Sequence, residues 1–544
     1  MNVETGGSAV DVVLVYPPGR RLDYQLSLPS LAAVVREAGY SVKIIDATAE
    51  DLDLLACCER VQAHGPRIIG VSIPFTNFAD SAVALLEQLR KDQPDAILLC
   101  GGVHVTLLPE EIAPHCDAVV LGDGEETLLD LLNEVDGGRP SEFSTKGIAY
   151  WKDGRIVRTE QRPLPDLNVL PPPAWDLVPL QYYHMTLPFD AKRRAMPIAG
   201  SRGCPYSCTY CCNWILSRKR VRFKDVDKLI DEIRSYKTRY GVDAFLFRDE
   251  VFTLKRSRVM ELCERIIKED LNIRWWCQTR AGLVDDEMLN VMKRAGCTSI
   301  SIGVESGSEE ILRSIKKAIK LDAVKDTLER IRKAGLGSYA GFMVGHDRDT
   351  PETILETMKR ADELDPDYLS YSIATPYPGT ELRERALETG EITARTWAEY
   401  GQAGATYVPA GLKGYDLRRI QVLATVNFFG QSLRRISRYA RRYPLHALIH
   451  APGLALMYVR SKIGKPYPVD FNSRWYAVAD LLPIIRSLKV NGRRKHPRVD
   501  REQAAAERSA PQGGGSLKQH RAKDARLGEL RQHDRPRGSV RRRV

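Results

Sequence analysis

Two series of short apolar runs, each run followed by an amphipathic stretch, constrain this 544-residue chain more than any other feature. In the first series Val12–Tyr16, Val42–Asp46, Ile68–Ile73, Ile97–Cys100 and Ala118–Leu121 read as buried strands, with helices over Leu28–Glu37, Ala79–Arg90 and Glu126–Val135. In the second, strands are expected at Pro197–Gly200, Ala244–Arg248, Ile273–Thr279, Ser299–Val304, Tyr339–Val344 and Tyr368–Ile373. Amphipathic stretches such as Val226–Arg239, Arg258–Glu269 and Leu321–Ala334 separate them. A parallel neighbour cannot be reached by a tight turn, so this alternation demands crossover helices and an α/β fold. The first series predicts a Rossmann-like open sheet covered on both faces, the second a partial (β/α)6 barrel. Ligands of both are expected beyond the carboxyl ends of the strands.

At the head of the second series stands Gly200-Ser-Arg-Gly-Cys204-Pro-Tyr-Ser-Cys208-Thr-Tyr210-Cys211. Three thiolates at C-x3-C-x2-C suit an iron–sulfur cluster or zinc, both of which take soft ligands. A structural zinc wants a closed set of four, usually from two distant C-x2-C pairs, and no second pair follows. Three cysteines on a four-iron cluster leave one iron open. Cys212 could supply a fourth thiolate only by turning toward the metal of its neighbour Cys211.

This stretch resembles the signature of the radical S-adenosylmethionine (SAM) superfamily, C-x3-C-x-aromatic-C, with Tyr210 in the aromatic place. The resemblance implies a 4Fe-4S cluster on Cys204, Cys208 and Cys211, with SAM chelated to the open iron. It also implies roles for the later strand ends. Asp249 and Glu250 would accept from the amino group of SAM, and Gln278 and Arg280 would meet its carboxylate. Glu305 and Ser306 would hold the ribose, and Gly341 to Gly345 would flank the adenine, although His346-Asp347 departs from the usual later Glu.

The front loops Pro74-Phe-Thr76-Asn, Gly101-Gly102-Val-His104 and Gly122-Asp-Gly124-Glu125 contain no G-x-G-x-x-G fingerprint, which argues against a dinucleotide. Their order resembles a cobalamin-binding domain set ahead of a radical SAM barrel, with Pro74, Thr76, Gly101, Gly102, Gly122, Gly124 and Glu125 around the cofactor. The common D-x-H-x-x-G is missing, since no histidine occurs before His64. The resemblance therefore implies cobalt without a protein imidazole beneath it. Between the series, Gly147–Arg158 reads as a hairpin around Asp153-Gly154, and the prolines of 163–173 read as an extended linker.

Charge divides the chain further. Residues 411–490 carry 14 Lys and Arg against 3 Asp and Glu, and residues 491–544 carry 16 against 6, so the first 410 residues are net acidic. The expected units are a front domain at 1–140, a connector at 141–195, the barrel at 196–400, a helical region at 401–490 and a disordered basic tail at 491–544. No aromatic residue interleaves the tail's charges, which argues against nucleic acid. Residues 411–490 leave three readings open: a cap on the barrel, a peripheral contact with a membrane surface, or a docking site for an acidic protein. Eleven unpaired-looking cysteines and no apolar leader predict a cytoplasmic protein. The expected activity is a cobalamin-dependent radical SAM methyltransferase acting on an unactivated carbon of a small molecule, fed electrons by a flavodoxin or ferredoxin. The rival is radical oxidation, cyclisation or rearrangement without methyl transfer.

Overall fold

In the computed structural model the described residues are 10–19, 25–183, 185–188, 190–389, 392–401, 404–442 and 444–462. The front sheet comprises β1 (Val12–Tyr16), β2 (Val42–Asp46), β3 (Ile68–Ser72), β4 (Ile97–Gly101), β5 (Ala118–Val120), β6 (Ile148–Lys152) and β7 (Arg155–Arg158). Their order is 2-1-3-4-5-6-7, parallel as far as β5. All five residues of β1 are buried, which is why that strand reads as an unbroken apolar run. Helices Leu54–Gln62 and Ala79–Asp92 cover one face, and Ser27–Glu37 and Glu125–Glu134 the other.

The hairpin belongs to this sheet rather than to a free connector. β6 pairs antiparallel with β5, Val119 opposite Ala149, and β7 forms the new edge. Periodicity marks a hairpin but does not say where it docks. Here it covers the three-residue strand β5, which would otherwise be an open edge. The chain then crosses to the second sheet over the proline segment. Trp175, fully buried, donates its indole N–H to Tyr236 at 2.8 Å, and Arg222 donates to the Pro165 carbonyl at 3.1 Å.

The second sheet comprises β8 (Thr186–Leu187), β9 (Asp190–Ile198), β12 (Ala244–Phe247), β13 (Arg274–Thr279), β14 (Cys297–Glu305), β15 (Gly337–Val344) and β16 (Tyr368–Ile373). A two-stranded ribbon, β10 (Ser201–Arg202) with β11 (Arg222–Phe223), stands apart from it. The sheet order is 16-15-14-13-12-9-8, so six parallel strands follow chain order and β8 adds one antiparallel edge. The first of the six is longer than its apolar residues alone predict, because pairing with β8 carries it back to Asp190. The covering helices obey the 3.6-residue period: Val226, Leu229, Ile230, Ile233 and Tyr236 are the buried stripe of Val226–Tyr240.

Helix Leu417–Gly430 packs against the last strand, with Gln421 donating to the Tyr371 carbonyl at 2.5 Å. Arg435, in helix Leu433–Arg442, is buried between Asp362 and Asp365, each at 2.7 Å. Arg435, and Arg438 beside Asp367, thus neutralise acidic residues of the barrel. Among the described residues no helix is long and apolar enough to cross a membrane. The expected disordered tail, and residues 463–490, lie outside the described residues.

Candidate active site

The three cysteines sit in a loop closed at its base by the β10–β11 ribbon, which pairs Arg202 with Arg222. Gly203 turns the chain there with φ +104°, and a Cβ would come within 2.1 Å of the Arg220 carbonyl oxygen, so only glycine fits. Two carboxylates beyond β12 grip the same segment. Asp249 accepts from the Gly200 N–H at 3.0 Å and the Ser201 hydroxyl at 2.5 Å. Glu250 accepts from the Gly203 N–H at 3.0 Å and the Asn213 amide at 2.8 Å. Farther along, the Thr209 N–H donates to the Ile315 carbonyl and the Thr209 carbonyl accepts from Leu382 N–H, both at 3.0 Å. Segments that follow β12, β14 and β16 thus hold the loop.

Burial raises the carboxyl pKa of both Asp249 and Glu250 above the ordinary range, against the opposing pull of these hydrogen bonds. It also pushes the Cys211 thiol up to about 12 and raises that of Cys204. A metal bound by Cys204 and Cys211 must displace protons that burial makes hard to remove. Among the described residues no three His, Cys, Asp or Glu side chains gather closely enough to grip a single ion. A cubane asks for something else, one thiolate on each of three irons. Three cysteines on one anchored loop fit that donor set. Cys212 stands at the N-terminal end of the short helix Asn213–Leu216, where its side chain makes no capping hydrogen bond.

Inside the barrel, Glu305 ends β14 at φ +71°, a left-handed conformation that is uncommon for a non-glycine residue. Its carboxylate pairs with Lys317 Nζ at 2.7 Å and hydrogen-bonds the Tyr210 hydroxyl, whose pKa burial and this carboxylate drive far up. The pair lies directly over Gly303, where a Cβ would meet Glu305 Oε1 at 2.5 Å and Lys317 Nζ at 2.9 Å. Lys317 also lies near enough to Cys204 to favour its thiolate. Sequence reading missed this lysine. Its only signal is a cation in the turn after Glu309–Ser314, and such residues are ordinarily solvated.

Other strand-end residues fall differently. Arg280 stacks on the ring of Tyr206 at 3.9 Å, inside the cysteine loop, with one terminal nitrogen buried and unbonded. Gln278 lies half-buried on β13, in register with Ser301. Gly341 is in register with Gly303, so two adjacent strands lack side chains at that level. Gly345 has φ +87° and faces Leu417. The buried Ser306 hydroxyl pairs with Thr357 and accepts from the Ser308 N–H, both at 3.1 Å. Fully buried His346 lies 5.8 Å from the Tyr210 ring, and neither of its ring nitrogens has a partner.

A cavity of about 650 Å³ opens at the carboxyl ends of the front strands. Pro74, Gly101, Gly102, Gly122, Gly124 and Glu125 line it, over a floor of apolar side chains such as Leu14, Leu99 and Val120. Thr76 does not reach it; it is buried at the start of a short turn, Thr76–Phe78. Gly102 has φ +112°, and a Cβ would strike the Ile73 carbonyl oxygen at 2.3 Å. The open glycine wall and apolar floor fit a broad, flat macrocycle. None of the described histidines lines the cavity. His104 is buried elsewhere, edge-on to Trp397 at 5.1 Å. Arg202, Arg248 and Glu250 of the barrel close the far side.

Comparison with known proteins agrees with both halves. Residues 198–361 match the radical SAM superfamily model and residues 24–132 the B12 binding domain model. An uncharacterized methyltransferase of Pyrococcus horikoshii is 32% identical over 380 residues, 69% of this chain and 81% of that protein. The anaerobic magnesium-protoporphyrin IX monomethyl ester cyclase of Rubrivivax gelatinosus is 32% identical over 372 residues, 66% of each. In fold, the chain is similar to the radical SAM methyltransferase TsrM of Kitasatospora setae, solved with tryptophan and a SAM analog. The TM-score is 0.64 at 18% identity, covering 88% of this chain and 100% of that one. The cobalamin-dependent radical enzyme OxsB, solved with aqua-cobalamin and SAM, gives 0.64 at 17%, covering 96% and 84%.

Proposed function

This chain belongs to the cobalamin-binding radical SAM enzymes, and from that premise we propose that it transfers a methyl group to an unactivated carbon of a small-molecule substrate. When bound, the cluster, SAM and cobalamin supply a hydrogen-abstracting radical and a transferable methyl group. The observation that carries the reading is the shared cavity. Glycine loops of the front sheet and Arg202, Arg248 and Glu250 of the barrel line one space, which supports two cofactors that act together.

The residues of this chain then position and protect. Asp249 and Glu250 hold the cysteine loop by its backbone, which places them as positioning residues more than as direct acceptors from SAM. Glu305 and Lys317 present one anionic and one cationic group beside the loop, suited to the hydroxyls and the carboxylate of SAM. Arg280, stacked on Tyr206, keeps a free N–H for the same carboxylate. The apolar floor excludes water from any radical formed above it. A low-potential flavodoxin or ferredoxin is the electron donor we assign. The basic helices serve first as a wall on β16. Exposed Leu433 and Leu448, near Arg434 and Arg441, are what a peripheral contact with anionic lipid would use.

The test needs no substrate. Reduced, cobalamin-loaded protein is given SAM labelled in its methyl group. Label in the corrinoid fraction together with S-adenosylhomocysteine is the expected result. Only 5′-deoxyadenosine, with no labelled corrinoid, overturns methyl transfer in favour of another radical outcome.

A further inference from the structure

Arg202 belongs to the barrel, two residues before the first cluster cysteine, yet its guanidinium is directed to the front domain. One terminal nitrogen lies 2.7 Å from Glu125 Oε1 and the other 3.6 Å from Asp123 Oδ1. Arg222, its partner across the ribbon, reaches the second oxygen of Asp123 at 2.6 Å. Asp123, on the loop after β5, and Glu125, at the start of helix Glu125–Glu134, line the cavity, as Arg202 does. Glu125 is nearly buried, its side chain 5% exposed, so its bond to Arg202 is little screened. On the barrel side Glu250 lines the same cavity and accepts from the N–H of Gly203, the residue that follows Arg202. Ion pairs thus join the cavity rim to the arginine pair, and the chain runs from Arg202 directly into the cysteine loop.

We propose that Arg202 and Arg222 couple the two cofactor sites: they fix the cluster loop to the rim of the cavity, so that cobalamin in the cavity tightens SAM binding at the cluster. The proposal rests on the two-cofactor reading above. Filling the cavity removes water from around Glu125 and Arg202, which strengthens their attraction. It also stills the rim loop, and through the arginines the cysteine loop. A loop already ordered by one ligand has less freedom to lose to the next, which is positive coupling without a change of fold. Arg202 and Arg222 are positioning residues here, since they act through the cysteine loop.

The test compares SAM dissociation constants of the full-length, cluster-reconstituted protein with and without hydroxocobalamin, by equilibrium dialysis against the oxidised cluster. Iron and corrinoid are counted in every sample. The wild-type ratio is expected to be at least about fivefold, the low end of ordinary coupling. Arg202→Met should bring the ratio near one while iron is retained, and Arg202→Lys should restore part of it. Glu125→Gln, which alters only the rim, should lower it too, and decides alone if Arg202→Met sheds its cluster. A wild-type ratio of one, or a full ratio in both variants with only melting temperature lowered, overturns the coupling. Failure of the wild type to take up corrinoid overturns instead the reading beneath it.

Discussion

Lys317 Nζ lies 2.7 Å from Glu305 Oε1, and both side chains are almost wholly buried, 10% and 12% exposed. Breaking one side of such a pair leaves an uncompensated charge, at a cost of about 3–5 kcal/mol. Lys317→Met should therefore destabilise the fold to that degree in denaturant titration. Adding Glu305→Gln should recover most of the stability but not SAM affinity. If the double variant binds SAM as the wild type does, the pair is structural only.

The cluster ligands separate cleanly from their neighbour. Cys204→Ala, Cys208→Ala and Cys211→Ala should each abolish SAM cleavage, because each removes one of three thiolates from the donor set. Cys212→Ala should keep iron and turnover, since Cys204, Cys208 and Cys211 already supply the three thiolates. Iron analysis and deoxyadenosine yield check both, and an iron-free Cys212→Ala protein would refute the open-iron arrangement.

Asp249 uses both oxygens on the cysteine loop. Asn in its place keeps one acceptor and loses the other, so Asp249→Asn should lower cluster occupancy severalfold, and Asp249→Ala further. A variant with full iron and merely weaker SAM binding would return Asp249 to direct contact with SAM.

No described histidine lines the corrin cavity. Electron paramagnetic resonance of the protein with cob(II)alamin should accordingly show no nitrogen splitting from a protein imidazole. Such splitting would show a histidine beneath the cobalt.

Helix Leu417–Gly430 buries Leu417, Ile420, Leu423, Phe428 and Phe429. Truncation after residue 410 should uncover the surface against which they pack and lower solubility. Retained solubility would argue against a capping role. Salt-sensitive sedimentation of the intact chain with acidic vesicles would support the lipid contact.

The strand–helix alternation, the cysteine triplet and the glycine loops were legible because they are local. A buried parallel strand must be apolar throughout, a cluster loop must carry its thiolates close in sequence, and a wall against a macrocycle must lack side chains. What the sequence by itself determined was therefore two parallel sheets, a metal-ready loop and the strand ends where ligands collect. Tertiary structure decided everything that joins distant segments. The hairpin docks on β5 because an open edge needs a partner, and the Ser306 hydroxyl finds Thr357 fifty-one positions along the chain. Lys317 gains meaning only when folding buries it beside Glu305. Arg202 meets Glu125 across 77 positions of chain, a pairing of opposite charges that no spacing rule encodes.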